Sequence, residues 1–128
     1  MLVKPINKLL IIFLVITIAG CTSTGPVTAH PAIQSHVGKR MVLTTRAIVV
    51  EGKDGVKRLE ELKEGLISGD RVVAHVDAGE QVEVIAAIYR SRPLQLRYFL
   101  KVRFLQNGQE TVAECRVAHD GTCILREL

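Results

Sequence analysis

The stretch Leu96–Val117, LRYFLKVRFLQNGQETVAECRV, decides the fold of this chain. Apolar side chains alternate through its first half, as in a strand with one buried face: Leu96, Tyr98, Leu100, Val102 and Phe104. Asn107-Gly108 follows, and this dipeptide is the strongest short signal for a two-residue hairpin turn. The sequence therefore predicts that residues 96–105 and 110–117 form an antiparallel hairpin.

Further strands are predicted on both sides of this hairpin. They cover residues 41–50, 71–76 and 81–89, and residues 123–128 close the chain. Five short strands in about 92 residues predict an all-β domain over residues 37–128. We expect a small five-stranded barrel, because closure removes exposed sheet edges.

One helical insert is predicted within this domain, near residues 55–64. Asp54 is a suitable residue before the first helical turn, and Gly65 a suitable stop. Leu59, Leu62 and Leu66 recur at helical spacing. A helix here would have one apolar stripe with which to dock on the sheet.

The first 20 residues have the layout of a signal peptide. Lys4 and Lys8 flank the start of an uncharged, almost wholly apolar run over residues 9–18, which is too short to cross a bilayer. The segment Ile18-Ala19-Gly20-Cys21 resembles the lipobox of bacterial lipoproteins. That resemblance implies that the leader, residues 1–20, is removed and that the thiol of Cys21 carries lipid. The alternative is an ordinary signal peptide followed by an incidental cysteine.

A lipidated Cys21 implies a protein anchored in the membrane of a bacterial envelope, since several acyl chains together anchor firmly. Thr22 occupies the position where enteric lipoproteins retained in the inner membrane carry Asp. The expected location is therefore the outer membrane, facing the periplasm. Residues 21–36 are small and polar with two prolines, which predicts a flexible tether between the lipid and the domain.

The domain itself resembles bacterial Src-homology-3-like barrels. Residues 71–84, RVVAHVDAGEQVEV, are similar to their diverging turn, and Thr45–Val49 stands where their opening strand would be. Phe99–Arg103 followed by Asn107-Gly108 resembles their distal hairpin. A closer likeness is to uncharacterised envelope lipoproteins with such a barrel and a helical insert. The chain has no Trp, so the resemblance does not extend to the aromatic ligand groove of the better-known members.

Cys115 and Cys123 are the two cysteines that lipidation leaves over. In an oxidising periplasm they are expected to form a disulfide, which would stabilise so small a domain by roughly 2–3 kcal/mol. A zinc site is the alternative, because Cys115, His119 and Cys123 are residues of the type that binds zinc and recur at every fourth position. The fourth ligand that such a site needs is unassigned. Free or redox-active thiols are the third reading. We expect no metal and no cofactor.

Charge and motifs limit the function. The leader contains two of the 17 basic residues, so 15 face 13 acidic ones in the mature chain, a net charge of +2 that argues against nucleic-acid binding. The sequence contains no Gly-x-Ser-x-Gly motif of serine hydrolases, no His-Glu-x-x-His motif of zinc proteases and no phosphate-binding loop. We therefore expect that the protein is not an enzyme.

A basic strip is the one charge feature that suggests a partner. No acidic residue occurs between Glu83 and Glu110, and Arg97, Lys101 and Arg103 share one face of the 96–105 strand. The strip could bind an anionic envelope polymer or lipid phosphate. The alternative is that these three residues form an ordinary solvent-exposed face whose charge is neutralised by neighbouring acidic residues. The sequence thus predicts a non-catalytic envelope module that binds a protein or an anionic polymer, or else a structural subunit of a larger envelope assembly.

Overall fold

A computed structural model of the chain describes residues 23–62 and 71–128. The predicted all-β class is confirmed. Nine strands and one four-residue helix make up this part of the chain: β1 (Ser23–Pro26), α1 (Pro31–Gln34), β2 (Arg40–Leu43), β3 (Ala47–Glu51), β4 (Lys57–Glu61), β5 (Arg71–Val76), β6 (Gln81–Arg92), β7 (Gln95–Gln106), β8 (Gln109–Val117) and β9 (Leu125–Glu127). The predicted signal peptide, residues 1–20, and the predicted lipidation site Cys21 lie outside the described residues.

A three-stranded meander, β6-β7-β8, forms the centre of the sheet. Asn107 and Gly108 both have positive φ, 51° and 78°, so the predicted hairpin turn between β7 and β8 is confirmed. Pro93 and Leu94 form a second two-residue turn, between β6 and β7. These two tight turns fix the register of the longest strands in the molecule.

The strands form one sheet in the order β5-β3-β4-β8-β7-β6-β2-β9, and β1 adds to β6. The sheet is not closed, so the expected five-stranded barrel is not confirmed. The structure has more strands than the predicted five, in part because residues 41–50 do not form the single strand expected there. They divide into β2 and β3, with Thr44–Arg46 as the corner between them.

The open sheet bends around a single core. Leu100 and Val102 of β7 are fully buried and lie in one cluster with Val49 of β3 and Met41 of β2. Strands from both ends of the sheet thus contribute to the same apolar cluster. Burial of this cluster is the main favourable contribution to stability, at about 25 cal/mol per Å² of apolar surface.

The predicted helical insert near 55–64 is wrong for its described part, residues 55–62. Lys57–Glu61 is strand β4, which pairs with β3 on one side and with β8 on the other. Asp54 caps a turn instead of a helix: its Oδ1 accepts a hydrogen bond from the backbone N–H of Val56 at 3.1 Å. Of the proposed leucine stripe, Leu59 is buried and Leu62 is exposed, while Leu66 lies outside the described residues.

The predicted tether is also wrong over residues 23–36. Strand β1 pairs with β6, and Gly25 lies opposite Tyr89 so closely that a Cβ on Gly25 would be 2.9 Å from the Tyr89 hydroxyl oxygen. The short helix α1 places Ile33 in the core, where it is fully buried. This segment is therefore part of the domain. Within residues 23–62 and 71–128, no helix is long and apolar enough to cross a membrane.

Candidate anion-binding site

Strand β7 separates the predicted basic strip from the core. Leu100, Val102 and Phe104 are buried on one face of this strand. Arg97, Lys101 and Arg103 alternate with them and therefore project from the opposite face, together with Phe99. The geometry required for the strip is present, but its three cations have different surroundings.

Arg103 is neutralised by its neighbours. Its Nη2 donates a hydrogen bond to Glu83 Oε2 at 2.8 Å, and its Nε lies 3.5 Å from Glu110 Oε1. The hydrogen bond and charge of Glu83 raise the pKa of Arg103, and Arg103 in turn lowers the pKa of Glu83. At this end of the strip, the structure therefore agrees with the alternative of a solvent-exposed face whose charge is neutralised by acidic neighbours.

The middle of the strip contains a buried ion pair. Glu114 of β8, only 4% exposed, accepts a 2.8 Å hydrogen bond from Arg90 Nη2, which raises the pKa of Arg90. The Arg90 guanidinium also lies 5.0 Å from the centre of the Phe99 ring, a cation–π contact. Lys101 lies next to Glu114 in the strand register. On this face of the sheet, the positive charges of Arg90 and Lys101 are therefore balanced in part by the negative charge of Glu114.

The other end of the strip is a pocket of about 110 Å³, here called the arginine pocket. Four arginines, one carboxylate and the Phe99 ring are among the residues that line it: Asp54, Val56, Arg58, Arg90, Arg92, Gln95, Arg97 and Phe99. Strands β4, β6 and β7 and the β3–β4 turn supply these residues. Arg92 and Arg97 are exposed, and no described residue forms an ion pair with either.

The arginine pocket can bind an anion. Guanidinium groups present up to five N–H donors in a planar fork that matches carboxylate and phosphate oxygens. Of these groups, Arg90 is paired with Glu114, whereas Arg92 and Arg97 have no acidic partner in the described part of the chain. The structure thus brings Arg97 together with Arg58, Arg90 and Arg92, and separates it from Arg103.

Cys115 and Cys123 lie side by side, both as free thiols in this structure. Cys115 is buried, and the hydrogen bond between the two thiols together with burial raises its pKa. The same hydrogen bond lowers the pKa of Cys123 to about 6, and the neighbouring His36 acts in the same direction. The proximity needed for the predicted disulfide exists, and the disulfide itself stays a prediction.

His119 does not join the two cysteines. Its ring packs against Tyr98 at 5.0 Å between ring centres, and against His30 at 5.9 Å. No group of three or more His, Cys, Asp or Glu side chains in the described part of the chain is arranged to hold a metal ion. The alternative of a Cys115-His119-Cys123 zinc site therefore has no support from the geometry.

Comparison with protein families, with curated proteins and with solved structures found no match to this chain. Its function is accordingly argued from the arginine pocket and the sequence alone.

Proposed function

We propose that this chain is a lipid-anchored protein of a bacterial envelope whose β domain binds an anionic partner and catalyses no reaction. The arginine pocket carries this proposal. Arg92 and Arg97 are exposed cations without acidic partners among the described residues, beside the more enclosed Arg90. Such a cluster attracts phosphate or carboxylate groups and forms charge-assisted hydrogen bonds with them. An anionic polymer of the envelope, or an acidic surface of an envelope protein, has this chemistry.

The anchor rests on the lipobox resemblance at Cys21, and outer-membrane location remains a proposal on the same grounds. Membership of the Src-homology-3-like domains is likewise proposed only on the resemblance of residues 71–84 and 99–108 to their motifs. The anchor is tested by mass spectrometry of the mature amino terminus. A lipid-modified Cys21 is expected, and Cys21→Ser should move the protein out of the detergent phase. An unmodified terminus in the wild type contradicts the proposed anchor.

Binding is tested by co-sedimentation of the full-length Cys21→Ser chain, which lacks the lipid attachment site. The three targets are cell-wall sacculi, vesicles containing phosphatidylglycerol and vesicles of phosphatidylcholine alone. At about 0.1 M salt the chain should sediment with at least one of the two anionic targets. Binding should weaken at about 1 M salt, where the Debye length is only about 3 Å.

The matched control compares the two ends of one strand. Arg92→Gln with Arg97→Gln removes the unpaired cations of the arginine pocket, whereas Arg103→Gln removes a cation already paired with Glu83. Only the double variant should lose sedimentation. If the Cys21→Ser chain without further changes stays in the supernatant with every target, or if adding Arg103→Gln abolishes sedimentation as the double variant does, the proposed binding function is wrong.

A further inference from the structure

The arginine pocket lies at the end of the sheet where the proposed lipid anchor attaches. Strand β1 begins at Ser23, which pairs with Ser91, the residue before Arg92. Cys21 precedes Ser23 by two residues, and two residues span at most about 7 Å. Neighbouring strands are separated by about 4.8 Å. A lipid on Cys21 therefore holds the β6–β7 turn beside the membrane surface.

The same turn exposes apolar side chains between two cations. Leu94, at the tip, is fully exposed with positive φ, and Leu96 is 46% exposed. Arg92 precedes these leucines and Arg97 follows them. Exposed leucines flanked by arginines are typical of segments that lie in the interface of an anionic bilayer, with the apolar groups inserted and the cations at headgroup depth.

From these observations we infer that the arginine pocket binds the phosphate group of an anionic phospholipid in the membrane that holds the anchor. The β6–β7 turn, residues 92–97, then lies in the bilayer interface and fixes the orientation of the domain. This inference rests on the proposed function, since it needs the lipid on Cys21. The anionic partner that the proposed function leaves unspecified is here identified as a phospholipid of that membrane.

The pocket favours phosphate over carboxylate because several guanidinium groups approach it from different strands. Arg90 and Arg92 come from β6, Arg97 from β7 and Arg58 from β4. A carboxylate offers two oxygens to such donors, whereas a phosphodiester offers two charged oxygens and two ester oxygens around a tetrahedral centre. Arg90 and Arg97 face each other in the strand register, so both can donate to one bound group.

A single tryptophan reports whether the turn reaches the bilayer. The chain contains no Trp, so Leu94→Trp introduces a unique fluorophore at the tip of the turn. The lipidated protein is reconstituted into vesicles of brominated phosphatidylcholine, with or without phosphatidylglycerol. Quenching by the bromine atoms should increase when phosphatidylglycerol is present. Lipid attachment itself is checked by mass spectrometry on the same sample.

Leu105→Trp is the matched control. Leu105 is 67% exposed near the opposite end of β7, and eleven residues of strand place it about 36 Å from Leu94. Its fluorescence should not be quenched in either vesicle. In the Leu94→Trp background, Arg92→Gln with Arg97→Gln should lower the ratio of docked to undocked domains about 30-fold, because each cation near an anionic surface contributes about fivefold. Arg103→Gln should leave it unchanged.

Free phosphate is separated from lipid phosphate by competition at fixed ionic strength. Inorganic phosphate should reduce the quenching of Leu94→Trp more than chloride does. If phosphatidylglycerol has no effect on quenching, or if Leu105→Trp is quenched equally, the inference is overturned. Binding of inorganic phosphate without any response to phosphatidylglycerol overturns it as well, in favour of a soluble ligand. An unmodified Cys21 refutes instead the proposed anchor, so the two failures are distinguishable.

Discussion

Replacing Arg90 with Gln should destabilise the fold far more than the same change at Arg103, although both arginines pair with a glutamate on the same face of the sheet. Glu114, the partner of Arg90, is 4% exposed, and the Arg90 side chain is 28% exposed. Glu83 and Arg103 are 40% and 41% exposed. Water can therefore solvate Glu83 once its partner is gone, whereas Glu114 would be left as a buried carboxylate.

The expected cost for Arg90→Gln is about 3 kcal/mol, at the lower end of the range for removing one member of a buried pair, because Lys101 lies next to Glu114 in the register. Loss of the contact with Phe99 contributes within this figure. For a domain of about 100 residues, this lowers the thermal midpoint by about 12–24 °C. Arg103→Gln should leave the midpoint almost unchanged, since exposed pairs contribute little.

Thermal unfolding of the full chain, followed by circular dichroism at a strand wavelength, measures both variants under the same conditions. Glu114→Gln is the complementary variant. It should cost only about 1 kcal/mol, because it leaves a neutral amide that still accepts a hydrogen bond. Combined with Arg90→Gln, it should recover part of the lost stability. If Arg90→Gln is no more harmful than Arg103→Gln, the argument from the burial of Glu114 is refuted.

Four further predictions concern the packing of the N-terminal segment and the state of the cysteines. Ile33→Ala should lower the unfolding free energy by about 2–4 kcal/mol, since Ile33 is fully buried; a tether over residues 21–36 predicts no change in the same thermal assay. Gly121→Ala should destabilise more than Gly38→Ala. Both glycines have positive φ, but only at Gly121 would the new Cβ lie 2.5 Å from the backbone oxygen of Ala32, and nothing lies within 4 Å at Gly38. In reduced protein, iodoacetamide should modify Cys123 first, at a rate that is half-maximal near pH 6 and levels off at higher pH, because the lowered pKa favours the reactive thiolate; Cys115, whose pKa is raised, should react only on unfolding. Protein isolated from an oxidising compartment without reductant should contain neither thiol, and two free thiols there would contradict the predicted disulfide.

The meander could be predicted from the sequence because local signals agree there. Alternation along residues 96–105 and the Asn107-Gly108 turn define strand, face and register together. Strand β6 illustrates the limit. Regular alternation from Val82 would place Ile88 on the core face, but a bulge between Val84 and Ala86 moves Ala87 into the core instead. Pairing across the sheet decides such an insertion, and nothing in the local pattern marks it.

The predictions of a helical insert near residues 55–64 and of a tether over residues 21–36 were wrong because pairing with distant strands overrode the local sequence preference. Residues 57–61 contain one buried apolar residue, Leu59, and become a strand only because β3 and β8 lie on both sides. The arginine pocket was predictable only in part for the same reason. The acid-free interval of the sequence contains Arg90, Arg92 and Arg97, but Arg58 reaches the pocket through a strand that was expected to be a helix.

Attachment of β1 to β6 also affects the order in which the chain can fold. Synthesis proceeds from the amino terminus, so Ser23–Pro26 emerges long before its partner, residues 88–91. Strand β2 likewise waits for β6 and for β9 at the end of the chain. The meander has only short connections and can form by itself at an early stage, whereas contacts between distant segments form slowly. Residues 23–43, which contain β1 and β2, are therefore the last part of the domain to be protected from proteases, and a nascent chain interrupted before β6 leaves both strands without a partner.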